Sequence, residues 1–142
     1  MATKLALDSL EIKNFRGLRD MTIKKLGRAN LIVGKNNVGK TTILEALKLY
    51  AQPGSLDEMV KLLLRHDELL MTKPIESAVS EGENPLPIHR LFHGRTITHG
   101  DKGGIFIGPI ADRANTLRIV FEEWQGLQEF GSVDDEINED GT

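Results

Sequence analysis

The chain has 142 residues, 39% apolar and 27% charged, which is ordinary usage for one soluble globular domain able to bury a core. It has no cysteine, excluding disulfide frameworks and thiolate metal sites, and no apolar run near the roughly 18 residues a membrane-crossing helix needs. The net charge of −3 conceals an asymmetry: residues 1–50 hold ten Lys and Arg against four Asp and Glu, and residues 51–142 hold eight against seventeen.

The first residues, MATKLALDSLEIK, break their apolar stretch early, so no secretion signal is read and a cytoplasmic location is expected. Leu10, Ile12 and Asn14 alternate with Glu11 and Lys13, the period of a half-buried strand. Arg16-Gly17 interrupts it. Met21 and Ile23 then alternate with Thr22 and Lys24, predicting a second strand paired with the first. Lys24, Lys25 and Arg28 are read as solvating a turn, although a basic first segment also suits a polyanion. Asn30-Leu31-Ile32-Val33 is a short apolar run, expected as a strand buried on both faces.

From Lys40 the period becomes helical, with Ile43, Leu44, Leu47 and Tyr50 on one stripe and Gln52-Pro53-Gly54 as the stop. Ser55-Leu56-Asp57-Glu58 has the form of a capping box, starting a helix that would bury Met59, Leu62, Leu63 and Leu70. Residues 72–87 are rich in proline and read as a long loop, after which Pro87 to His93 forms a helical turn closed by Gly94. Thr96-Ile97-Thr98 and Ile105-Phe106-Ile107 flank HGDKGG as a hairpin, and Leu117, Ile119 and Phe121 mark a further strand. Residues 131–142 are acidic and read as a disordered tail. The expected fold is α/β, with a mixed sheet and an antiparallel part, over residues 1–130.

Between the apolar run and the first helix, Gly34-Lys35-Asn36-Asn37-Val38-Gly39-Lys40-Thr41 matches G-x-x-x-x-G-K-[ST] at every fixed position. Gly34 would turn the chain off a strand, and Gly39 would let backbone amides approach phosphates without a side-chain clash. Those amides and the positive end of the following helix make an anion cradle. Lys40 supplies a charge to the β- and γ-phosphates, and the Thr41 hydroxyl is placed to ligate Mg²⁺. Strand before and helix after are the context this phosphate-binding P-loop requires.

Asn14-Phe15-Arg16-Gly17, followed some twenty residues later by GKNNVGKTTILEAL at residues 34–47, resembles the start of ABC-class ATPases. That class includes RecF-like proteins, structural maintenance of chromosomes proteins and the AAA-family domains of overcoming-lysogenization-defect nucleases. The specific resemblance covers about the first fifty residues. It implies a P-loop NTPase-type lobe with ATP and Mg²⁺ as cofactors, and a phosphate-facing role for Arg16. Arg16 read from the sequence alone serves equally as a solvent-facing strand end. The resemblance further implies that Asn36 or Asn37 faces the γ-phosphate and the attacking water. Thr42 is either a second hydroxyl near the phosphates or a first-turn helix residue. Glu45 is expected on the helix surface or in packing between lobes.

ATP hydrolysis also needs a metal-holding carboxylate on a buried strand and a Glu that positions water. No apolar run here ends in Asp-Glu. Residues 117–123, LRIVFEE, are interrupted by Arg118 and read as an amphipathic edge or hairpin strand, so the catalytic residues are unknown. Asp101-Lys102-Gly103-Gly104 is better explained as a hairpin turn than as a guanine-nucleotide motif. His89 and His93 lack a third ligand for zinc. Trp124, Phe121 and Phe130 are assigned to the core or its edge.

The expectation is thus a first lobe alone, completed by a homodimer mate or a partner carrying the second lobe. DNA is a possible further ligand, and DNA repair, chromosome handling or phage defence the implied setting. A nucleotide-binding regulatory module without turnover, and a truncated ATPase fragment, stay open beside it.

Overall fold

In the computed structural model, residues 4–36, 38–66, 87–97 and 103–122 are described. The first alternating segment forms strand β1, Leu10–Phe15, and the second forms β2, Leu18–Ile23, paired antiparallel with Phe15 opposite Leu18. The alternation fails at one position. Asn14 adopts a left-handed φ of 59°, which breaks the pleat, so Phe15 and not Asn14 joins Leu10 and Ile12 in the core. The displaced Asn14 amide donates to the carbonyls of Gly103 and Gly104, at 2.8 and 3.4 Å.

Those glycines lead into β3, Ile105–Gly108, which pairs antiparallel with the other edge of β1. Strand β4, Leu117–Ile119, pairs antiparallel with β3, giving the order β2-β1-β3-β4. Ile105-Phe106-Ile107 was expected to pair with residues 96–98. It pairs instead with β1 and β4, while Thr96 and Ile97 lie outside any strand. As expected, Leu117 and Ile119 stand on an edge strand, where Arg118 lies 5.8 Å from the Phe106 ring centroid.

Helix α1, Lys40–Ala51, and helix α2, Leu56–Arg65, cover one sheet face. Ser55 caps α2, its hydroxyl accepting from the Glu58 amide at 3.3 Å, as the capping-box pattern requires. Ile43, Ala46 and Leu49 of α1 and Leu62 and Leu63 of α2 pack with Leu10, Ile12, Ile105 and Ile107. Leu91 and Phe92, between the short 3₁₀ turns Ile88–Leu91 and His93–Arg95, complete the core. The buried stripe of α1 is rotated from the expected one, since Leu44 is exposed and Glu45 is buried in its place. On the outer face of α2 the Lys61 ammonium bonds Asp57 at 2.5 Å and Glu58 at 3.2 Å. The Asp57 hydrogen bond, then Glu58, raises its pKa above the ordinary lysine value.

The sheet corrects the sequence reading most clearly at residues 30–33. No strand forms there, Leu31 and Val33 are 88% and 77% exposed, and only Ile32 packs against the core. Both edges of β1 are taken by β2 and β3, and residues 30–33 join neither outer edge of the sheet, at β2 or at β4. The sheet is therefore antiparallel, not mixed, among the described residues. The 72–87 loop, apart from Pro87, the 131–142 tail, Leu70, Trp124 and Phe130 fall outside the described residues.

Leu63→Ala is expected to lower the unfolding free energy by about 2–5 kcal/mol, because it opens a cavity in the core. Leu31→Ala should change it by less than about 0.5 kcal/mol. Urea denaturation of the two variants checks the pair, and a large loss for Leu31→Ala would mean that residues 30–33 are buried after all.

Candidate functional site

The glycine-lysine loop connects residues 30–33 to the amino end of α1. Gly39 is the N-cap of that helix with a left-handed φ of 94°, and a Cβ there would lie 3.1 Å from Leu18 Cδ2. At Gly34 the constraint is close approach, since a Cβ would come within 2.9 Å of Val38 Cγ2. The first helical hydrogen bond runs from the Ile43 amide to the Gly39 carbonyl at 3.0 Å. The amides of Lys40, Thr41 and Thr42 therefore have no acceptor within the helix, and its first turn holds no acidic side chain. This is an uncompensated positive helix end.

Lys40 reaches back over the loop. Its ammonium donates to the Gly34 carbonyl and, at 2.6 Å, to the Lys35 carbonyl. Beside it lies a cavity of about 560 Å³ lined by Asn36, Val38, Gly39, Lys40, Thr41 and Thr42, with Gly17 and His66 on the opposite wall. Thr41 is exposed and Thr42 half-buried. Asn37 lies outside the described residues.

Arg16 is not on the wall of that cavity. It lines an adjoining one of about 430 Å³, together with Arg90, Phe92, Gly94 and Arg95, and the two cavities share Gly17, Thr42 and His66. Its backbone is held in a left-handed conformation, φ 49°, by two bonds from the 3₁₀ segment. The Arg16 amide donates to the Leu91 carbonyl at 2.8 Å, and His93 Nδ1 donates to the Arg16 carbonyl at 2.8 Å. Bonds on both sides over-determine a conformation that is otherwise unfavourable. His93 is thus engaged with the backbone, and no group of three metal-ligating side chains occurs among the described residues.

Glu45 was expected on a surface or between lobes. It is 2% exposed, inside the lobe, with its carboxylate facing a histidine and two arginines. His66 Nε2 donates to Oε1 at 2.7 Å, the Arg65 guanidinium lies 3.7 Å from Oε1, and Arg16 Nε lies 3.8 Å from Oε2. Sequence reading missed both Glu45 and His66 as site residues. A signal existed for the first: Thr42, Glu45, Ala46 and Leu49 fall at i, i+3, i+4 and i+7, a single helix face.

Residues 6–94, more than half of the chain, match the family model described as an AAA ATPase domain. Over 117 residues the chain is 31% identical to the DNA replication and repair protein RecF of Cellvibrio japonicus, covering 81% of this chain and 32% of that protein. RecF of Ligilactobacillus salivarius is 25% identical over 109 residues, or 73% of this chain and 29% of the relative. A stretch of 44 residues is 50% identical to the uncharacterized protein MJECL10 of Methanocaldococcus jannaschii, 31% of this chain and 20% of that protein. The chain thus spans about a third or less of the length of these curated relatives. No solved structure matches it significantly.

Gly39→Ala is expected to destabilise the fold by about 1–3 kcal/mol, from the left-handed φ and the approach to Leu18. Gly17→Ala, whose Cβ would meet nothing within 4 Å, serves as the comparison and should cost far less. Equal unfolding midpoints for the two variants would contradict the constrained helix start.

Proposed function

Because the chain belongs to the AAA ATPase domain family and is RecF-like over most of its length, we propose that it binds Mg-ATP through residues 34–41. One observation carries this reading: an uncapped, uncompensated helix start at Gly39, with a lysine folded over the loop that precedes it. The residues present fit a polyphosphate. Backbone amides from Gly34, Lys35, Asn36, Asn37, Val38, Gly39 and the first turn of α1 cradle it, and Lys40 exchanges its loop carbonyls for phosphate oxygens. The Thr41 hydroxyl is the proposed metal ligand, and Thr42 adds a second hydroxyl on the wall common to both cavities. Arg16 supplies positive charge from the adjoining cavity. Bound Mg²⁺ would neutralise phosphate charge and act as a Lewis acid on the phosphoryl group.

Hydrolysis would draw on a companion lobe that carries the metal-holding carboxylate and the water-positioning Glu. Two features support a docking place for it. Leu31 and Val33 stand exposed, and next to them an apolar groove of about 720 Å³ runs between Leu7, Leu26 and the α1 residues Leu44 and Leu47. The relatives' printed role in DNA replication and repair extends to this chain as the proposed setting. Exposed Arg19, Lys24, Lys25 and Arg28 give it a basic edge that could meet DNA. No helix among the described residues is long and apolar enough to cross a membrane, and a cytoplasmic location is proposed with the rest.

Calorimetry of Mg-ATP binding, with Lys40→Ala beside the wild type, tests this. Saturable binding that the substitution weakens about a hundredfold is expected, from loss of charge-assisted bonds worth roughly 3 kcal/mol together. A folded wild-type chain that takes up no nucleotide would sink the proposal. Phosphate release measured in the same samples separates an ATPase from a binding module without turnover.

A further inference from the structure

Glu45 sits in the second turn of α1, just past the loop lysine, and its side chain is removed from water. A carboxylate in that position must be matched by cations or lose its charge. Two arginines and a histidine face it, and they come from two places in the chain. Arg65 is the last residue of α2 and His66 is its C-cap, while Arg16 stands at the β1–β2 turn. Each carboxylate oxygen has its own direction. Oε1 takes the short bond from His66, and Oε2 faces Arg16 Nε while making no hydrogen bond of its own.

A purely architectural ion pair would tie α1 to α2, and Arg65 with His66 suffices for that. Arg16 is superfluous to such a tie. Leu91 and His93 hold its backbone, and its Nε lies 3.8 Å from Glu45 Oε2. Arg16 and His66 both line the cavity next to the loop, and His66 lines the loop cavity as well. Of the side chains facing Glu45, His66 therefore stands on the wall that the two cavities share, and Arg16 stands in the adjoining cavity beside it.

We propose that Glu45 is a positioning residue for the nucleotide site, setting His66 on the shared wall and Arg16 in the adjoining cavity before the ligand arrives. The proposal rests on the nucleotide-binding reading above and deepens it. Glu45 touches no phosphate. It acts by holding the His66 imidazole and drawing the Arg16 guanidinium toward it beside the loop, and such preorganisation appears as affinity.

Glu45→Gln keeps the shape and removes the charge; Glu45→Met keeps the volume and removes the polar group. Breaking one side of a buried ion pair is destabilising, so Glu45→Met is combined with Arg65→Met, which removes charge from both sides and guards against a folding defect in the first variant. Three quantities are read on the full chain: the urea midpoint, Mg-ATP affinity, and the ¹⁵N resonances of Arg16 Nε and His66 Nε2 without nucleotide. Expected are resonances that both move and an affinity about tenfold weaker, the equivalent of roughly 1.4 kcal/mol. Arg16→Ala should make Glu45→Gln nearly silent, because the two act as a unit. Unmoved resonances with unchanged affinity, or losses that simply add, would overturn the proposal and leave Glu45 a structural ion pair. Should the wild-type chain bind no Mg-ATP, the nucleotide reading falls instead, and the two resonances alone decide whether Glu45 directs these cations.

Discussion

Strand β1 is hydrogen-bonded on both edges, to β2 along Leu10–Phe15 and to β3 through Glu11, Ile12 and Lys13. Much else in the lobe is a consequence of that double engagement. With both edges filled, the segment before the loop has no place beside β1 and runs over the surface with Leu31 and Val33 in solvent. The carboxyl end of β1 is likewise pinned. Asn14 bonds the turn that precedes β3, Phe15 enters the core, and Arg16 is left at a fixed point beside the start of α1. The positions of the loop and of the arginine next to it are thus two outcomes of one pairing pattern.

The parts legible in the sequence were those whose physics is local. Ser55 caps α2 because a hydroxyl three residues before an amide can always reach it, whatever lies elsewhere in the chain. The β1–β2 pair follows from alternation on both sides of a short turn. The glycine-lysine loop needed only its spacing, which leads directly into α1. The illegible parts depend on distant partners. Residues 30–33 look like a buried strand because their composition is right, but composition does not decide whether a segment docks on a sheet edge. Ile105-Phe106-Ile107 was recognisable as a strand, while its partner, β1, lies some ninety residues away in sequence.

Glu45 and His66 show the same limit at the site. A glutamate among leucines on a helix reads as a surface residue, since charges are rarely buried without partners. The partners exist, but they stand at the far end of α2 and at the β1–β2 turn, and only folding brings them together. Arg16 was legible as a candidate through its resemblance to a family motif. That it stands in the adjoining cavity, with its backbone clamped by Leu91 and His93, was not.

The bonds from the Lys40 ammonium to the carbonyls of Gly34 and Lys35 make the loop a competitor for its own cation. Any anion that enters must offer Lys40 at least as much as those two carbonyls already do. A small, singly charged anion has little to offer beyond charge, and it cannot span the helix end and the lysine at once. A long chain of phosphates can meet the amides of α1 with one group and the ammonium with the next. If residues 34–41 take a polyphosphate as proposed, the folded-back lysine would act as a threshold that discriminates by the length and charge of the ligand.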